Sequence, residues 1–141
     1  MTDMFVVDAS MALSWHFADE ETVETAAVEE LSDRSALIVP GHWFAEVSNT
    51  LVIGERRGRA TMAESVSFIE RLTGLDVRID EIAPVDYWER VIPLARAHGL
   101  TVYDTLYLEL AERRGLALAS LDAELNAAAR SVGVPLIGEV A

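Results

Sequence analysis

Met4-Phe5-Val6-Val7-Asp8-Ala9-Ser10 is the stretch whose reading decides the fold. Four apolar, β-prone residues end in one carboxylate, and a helical pattern begins directly after it. Such a run suits a strand buried on both faces, and open α/β sheets place their ligand crevice at the carboxyl ends of those strands. Asp8 then stands at the crevice. It is either the polar cap of the next helix, for which Asp is a favoured residue, or one of several carboxylates brought to that place.

Outward from this stretch, strand and helix patterns alternate. Ala9 to Ala18 reads as a short helix carrying Met11, Leu13, Trp15 and Phe17, and Glu20 to Arg34 as a second with Val23, Ala27 and Leu31 at i, i+4, i+8. Ala36-Leu37-Ile38-Val39, closed by Pro40, suits a buried strand. Gly41 to Glu55 is a predicted helix, and Thr61 with Glu64 forms a capping-box pattern opening another that runs to Leu72. Asp76-Val77-Arg78-Ile79-Asp80 alternates like a strand with one wet face. Pro84 opens a helix stopped at Gly99, and Tyr103 to Arg114 is helical up to Gly115. Leu116 to Leu121 is a further buried-strand candidate, Asp122 to Val132 a helix, and Val134 to Ile137 a last short strand. The class is α/β with a mostly parallel central sheet of four or five strands.

The 141 residues fit one domain, 1–141, with a real core, since 51% of them are hydrophobic. No apolar run approaches the ~20 residues of a membrane span. The start carries Asp3 and Asp8 where a signal peptide has a basic region, so a cytoplasmic protein is expected. Without cysteine, disulfides and thiolate zinc sites are excluded. The net charge is -13; nine acids precede the first basic residue, Arg34, and all eleven basic residues are arginines. This balance argues against tight non-specific nucleic-acid binding, which normally leaves a basic footprint. It suits a basic protein partner or a site that concentrates cations.

Four carboxylates stand out. Asp8 and Asp122 each follow an apolar strand and would emerge at the same sheet edge, though each also suits a helix cap. Glu46 lies in a narrow polar band with His42, Asn49 and Thr50 on a helix otherwise apolar nearly all round. A buried charge there needs a partner or a cation; a solvated stripe on a surface helix is the other reading. Asp104 shares a face with Tyr107, Leu108 and Ala111, with Glu109, Glu112 and Arg113 pointing elsewhere. The positive end of the helix dipole also accounts for it. Brought together, four acids repel one another unless a cation neutralises them. Oxygen ligands without Cys or clustered His point to Mg²⁺ or Mn²⁺, and phosphodiester hydrolysis is the natural reaction class.

At Val7-Asp8-Ala9-Ser10, Glu46-Val47-Ser48-Asn49-Thr50-Leu51, Tyr103-Asp104-Thr105-Leu106-Tyr107 and Leu118-Ala119-Ser120-Leu121-Asp122-Ala123-Glu124-Leu125, the chain resembles the PIN-domain ribonucleases, specifically the VapC-type toxins of toxin–antitoxin pairs. The pieces fall in the family's order and span nearly the whole chain. The resemblance implies a PIN-like α/β/α sandwich and a Mg²⁺- or Mn²⁺-dependent endoribonuclease. It maps metal-binding acids onto Asp8, Glu46, Asp104 and Asp122, and supporting polar groups onto Ser10, Asn49 and Ser120. Ser120 stands where the family often has threonine, and the hydroxyl is kept. It further implies an RNA substrate, a homodimer and a cognate antitoxin that wraps the toxin.

Arg56, Arg57 and Arg59 read as phosphate contacts or, more simply, as cations complementing a helix end. Trp15, Trp43 and Trp88 read as core or interface anchors, and His16, His42 and His98 lack ligand spacing. A DxD-type phosphatase would need an acid where Ser10 stands, and a receiver domain would need a lysine. The remaining rival is a PIN-like fold kept as a non-catalytic RNA- or protein-binding module.

Overall fold

The computed structural model describes residues 3–138; the ends of the expected 1–141 domain lie outside them. Strands β1 (Met4–Val7), β2 (Ala36–Pro40), β3 (Asp76–Asp80) and β4 (Leu118–Ala119) form one all-parallel sheet in the order β3-β2-β1-β4. Helices flank it, as parallel connections require: α1 (Ala9–Ser14) and α2 (Val23–Ser32) between β1 and β2, α3 (His42–Arg56) and α4 (Met62–Thr73) between β2 and β3. From β3 the chain runs through α5 (Pro84–Asp86), a π-helical turn (Tyr87–Val91), α6 (Ile92–His98) and α7 (Val102–Arg114) to β4, and α8 (Ala123–Ser131) follows. Phe5, Val6, Val7, Leu37, Ile38, Val39, Leu118 and Ala119 are all buried, which is why the inner strands read as unbroken apolar runs.

Several boundaries differ from the sequence expectation, each for a local reason. The first helix stops at Ser14 instead of Ala18, because Trp15 and His16 bond three residues back. That tightening turns Phe17 into the core, where it packs so closely on α3 that a Cβ at Gly54 would lie 2.9 Å from its ring. The second helix starts at Val23, where Thr22 and Thr25 cap it reciprocally. The helix expected from Pro84 to Gly99 contains the π turn, in which the Ile92 N–H reaches the Tyr87 carbonyl. Pro93 explains it: the residue has no N–H for the Glu89 carbonyl, and its ring would clash there in a regular helix. The strand expected over Leu116–Leu121 is two residues long because the Leu116 N–H still bonds Ala111, closing α7 past Gly115. The fifth strand is a single bridge, Leu118 to Leu136, beside Pro135, which has no N–H to extend a ladder.

Strand β3 departs most from its pattern. Ile79 on the supposed inner face is exposed, whereas Asp80 on the supposed wet face is only 7% exposed. Helix α7 packs on β1, β2 and the π turn, and it carries Arg113 and Arg114 to Asp80. Glu109, expected to point away from the core, is 4% exposed and bonded to Arg90 and Arg113 at 3.0 and 2.8 Å. Each carboxylate therefore has two guanidinium partners. Removing one member of such a buried set strands the others. Glu109→Ala is expected to lower unfolding free energy by about 3 kcal/mol, read as a shifted urea midpoint at unchanged slope.

Candidate functional site

The carboxyl edge of the sheet is built around Asp8. Its backbone N–H extends the ladder to Ala119 at 3.1 Å, so the side chain leaves the sheet between β1 and β4. Oδ1 accepts the Met11 N–H at 2.9 Å and the Ser10 hydroxyl at 2.7 Å; Oδ2 accepts the Ser120 hydroxyl. The serines close the circuit from the other side. Ser10 Oγ accepts the Leu121 N–H at 3.1 Å and Ser120 Oγ accepts the Asp122 N–H at 2.9 Å. Asp122 in turn caps α8 through Leu125 at 2.8 Å. Both aspartates are thus helix caps in fact, as their positions allowed.

The other two acids come from α3 and α7. Glu46 Oε1 accepts the Tyr107 hydroxyl at 2.5 Å and lies 3.3 Å from His42 Nε2. Asp104, half-buried, sits in the first turn of α7, where its N–H is capped by Thr101. Asn49, one turn beyond Glu46, is exposed. Helix α3 is not buried all round as expected, since Phe44 and Val52 are solvent-facing beside the Trp43–Val47–Leu51 stripe. Tyr107 was legible only as a neighbour of Asp104 on one helix face; its role as partner of Glu46 spans 61 positions and has no local signature.

Electrostatically the acids are linked through Asp104. Burial, opposed by its hydrogen bonds and reinforced by the Asp104 charge, pushes the Asp8 carboxyl up to about 6. Burial and the charges of Asp122 and Glu46 also raise Asp104. Glu46 feels the same burial, but His42 and the Tyr107 hydroxyl outweigh it and hold the carboxyl below its ordinary range. Yet among the described residues no three His, Asp or Glu side chains stand close enough to hold a metal ion as they are placed. Unneutralised carboxylates repel, and Tyr107 and the serines supply hydrogen bonds instead. The donor set still suits a hard cation: it is all oxygen, two members are pushed toward their protonated forms, and Mg²⁺ commonly takes only one or two protein carboxylates.

Elsewhere, Arg59 is bound to Asp19 and Glu20 at 3.0 and 2.9 Å and lies over the Phe17 ring, so it serves the fold. Arg56 and Arg57 are exposed near the α3 terminus. Trp43 is buried and Trp15 bonds the Thr25 carbonyl, while Trp88 is exposed. No helix of the described residues is long and apolar enough to cross a membrane.

An all-parallel α/β sheet with carboxylates gathered at its carboxyl edge defines the class. A PIN domain family model matches residues 5–131, and the chain belongs to the PIN domain family. It is 33% identical over 122 residues to Ribonuclease VapC3 of Pyrobaculum aerophilum, covering 85% of this chain and 90% of that one. The crystal structure of PAE2754 from the same organism superposes with a TM-score of 0.68 at 26% identity, over 89% of this chain and 84% of that one. Mycobacterium tuberculosis VapC20, a toxin that cleaves the sarcin–ricin loop, shares the fold at a TM-score of 0.62 and 16% identity, over 89% and 95% of the two chains. Rickettsia felis VapBC2, solved bound to a promoter DNA fragment, does so at 0.62 and 12%, over 95% and 97%.

Asp8 gives a test that needs no activity. Because its folded-state pKa lies above the ordinary 3.8, the native state binds the proton more tightly than the unfolded chain does. Its contribution is greatest below about pH 3.8 and is lost as pH rises to about 6, a span worth on the order of 3 kcal/mol. In chelator, Asp8→Asn, which keeps a good cap, is expected to melt higher than wild type at pH 7 and to converge with it near pH 4.

Proposed function

We propose that the chain is a divalent-metal-dependent endoribonuclease that hydrolyses RNA phosphodiesters and acts as the toxin of a toxin–antitoxin pair. The observation that carries this is that Asp104 acts on Asp8 and is itself acted on by Asp122 and Glu46 at one sheet edge, in a chain one third identical to a VapC ribonuclease. In this reading Asp8, Glu46, Asp104 and Asp122 would hold Mg²⁺, directly or through water, with Mn²⁺ able to replace it. Ser10 and Ser120 fix the Asp8 carboxylate from both sides, and Asn49 lies beyond Glu46 where substrate would pass. The cation, when bound, supplies charge to the phosphate oxygens and lowers the pKa of an attacking water. The chain supplies geometry: backbone caps orient Asp8 and Asp122, and the Tyr107 hydroxyl keeps Glu46 ionised and turned to the edge.

A cognate antitoxin and a second copy of the chain are the proposed protein partners. The VapBC2 neighbour is such a toxin–antitoxin assembly. Helices α3 and α4 leave Phe44, Val52, Val66 and Ile69 exposed, apolar surface that suits protein contacts. An acidic chain also suits a basic partner segment.

Purified protein is expected to cut single-stranded RNA internally with Mg²⁺ or Mn²⁺, to lose this in EDTA, and to regain it when metal is restored. Asp8→Asn, Asp104→Asn and Asp122→Asn are each expected to reduce the rate by roughly 100-fold or more while keeping the far-UV circular dichroism of wild type. A folded, metal-loaded wild type that cuts no RNA in a broad panel would leave the non-catalytic binding module as the better reading.

A further inference from the structure

An acidic nuclease has to hold an anionic polymer, and more than half of its arginines are tied up elsewhere. Arg59, Arg71, Arg78, Arg90, Arg113 and Arg114 are each committed to carboxylates of the chain itself. What the edge offers instead is aromatic. Tyr103 immediately precedes Asp104, and its side chain is left in solvent, the residue being 63% exposed. Its ring centroid lies 5.8 Å from that of His42, which lies 5.0 Å from the buried Tyr107. A row of rings therefore runs from the Glu46 hydrogen bond out to the surface beside Asp104.

His42 also lines a cavity of about 280 Å³ at the carboxyl ends of β2 and β3, together with Tyr87, Leu106, the exposed acid Glu81 and the arginine-paired acids Asp80 and Glu109. Both His42 ring nitrogens are shielded from solvent, so the ring meets the cavity with its carbon edge. The cavity sits at the small end of ligand pockets (~300 Å³), the scale of one flat ring rather than a helix.

We propose that Tyr103 and the His42-lined cavity form a subsite for an unpaired nucleobase of single-stranded RNA, next to the phosphate presented to the acids. Tyr103 is the stacking face, and the His42 ring 5.8 Å from it continues that face toward the cavity. This rests on the nuclease reading above. Stacking on an aromatic ring needs no net positive charge and tolerates any base, which reconciles RNA binding with a charge of -13.

Binding and cleavage are measured separately. Fluorescence anisotropy of a labelled single-stranded oligoribonucleotide in EDTA is compared for wild type, Tyr103→Ala and Tyr103→Phe, alongside KM and kcat with Mg²⁺. Tyr103→Ala is expected to weaken binding and raise KM by about tenfold, within the range of one lost base stack, with kcat and melting temperature nearly unchanged. Tyr103→Phe is expected to bind as wild type, and the log–log salt dependence to have a slope shallower than about 2. Equal binding and KM for wild type and Tyr103→Ala would overturn the subsite while cleavage upholds the nuclease, leaving Tyr103 as a protein contact. A slope as steep as that of many phosphate contacts would overturn it too. Ring-dependent binding without cleavage on any RNA would instead uphold the subsite and overturn the nuclease.

Discussion

The carboxylate of Asp8, buried between two serine hydroxyls and a backbone N–H, is the constraint on which the candidate site depends. A charge removed from water must be satisfied by hydrogen bonds or give up its ionisation. Here both happen in part: three donors face it, yet its pKa stands well above the ordinary value. The same serines accept the N–H groups of Leu121 and Asp122, so the loop leaving β4 is fastened to the loop leaving β1. The position of Asp122 follows from that fastening, and through it the start of α8.

How far this was legible in the sequence depends on the range of the physics involved. Strands β1 and β2, the Thr61–Glu64 box of α4 and the capping aspartates come from local periodicity and local hydrogen bonding, and the structure keeps them. The π turn was missed because the effect of Pro93 falls on a carbonyl four residues earlier, in a stretch that looks regular by its side chains. Glu109 and Asp80 were placed on solvent faces because a helix or strand taken alone has no neighbour. Only the packing of α7 across the sheet and against the π turn reveals arginines waiting for both. At the site, the presence of four acids was readable. The restraint on Glu46 was not, since Tyr107 belongs to another helix.

The same packing explains where the positive charge of an acidic chain goes. Several arginines are spent on the chain's own carboxylates: Arg113 and Arg114 hold the end of β3 to α7, Arg90 holds the π turn to Glu109, and Arg59 ties the segment after α1 to the end of α3. A guanidinium can serve two carboxylates at once in a way an ammonium cannot easily match, which fits a chain with no lysine. Around the four acids of the candidate site, neighbouring acid charge adds to burial in raising Asp8 and Asp104, a negative field suited to drawing in cations.

Within that field the four acids are not equivalent. Asp8 and Asp122 are fixed by backbone N–H groups as helix caps, and Asp104 by its place in the first turn of α7. Glu46 alone is positioned through side chains, by Tyr107 and His42. Its longer chain has the most freedom to swing, and only the Tyr107 hydroxyl and the His42 ring restrain it. A cation arriving at this edge would meet three aspartates whose backbones are already set. For the fourth acid it would also have to displace the Tyr107 hydroxyl, so in the proposed metal-bound state Glu46 would be the member that moves most.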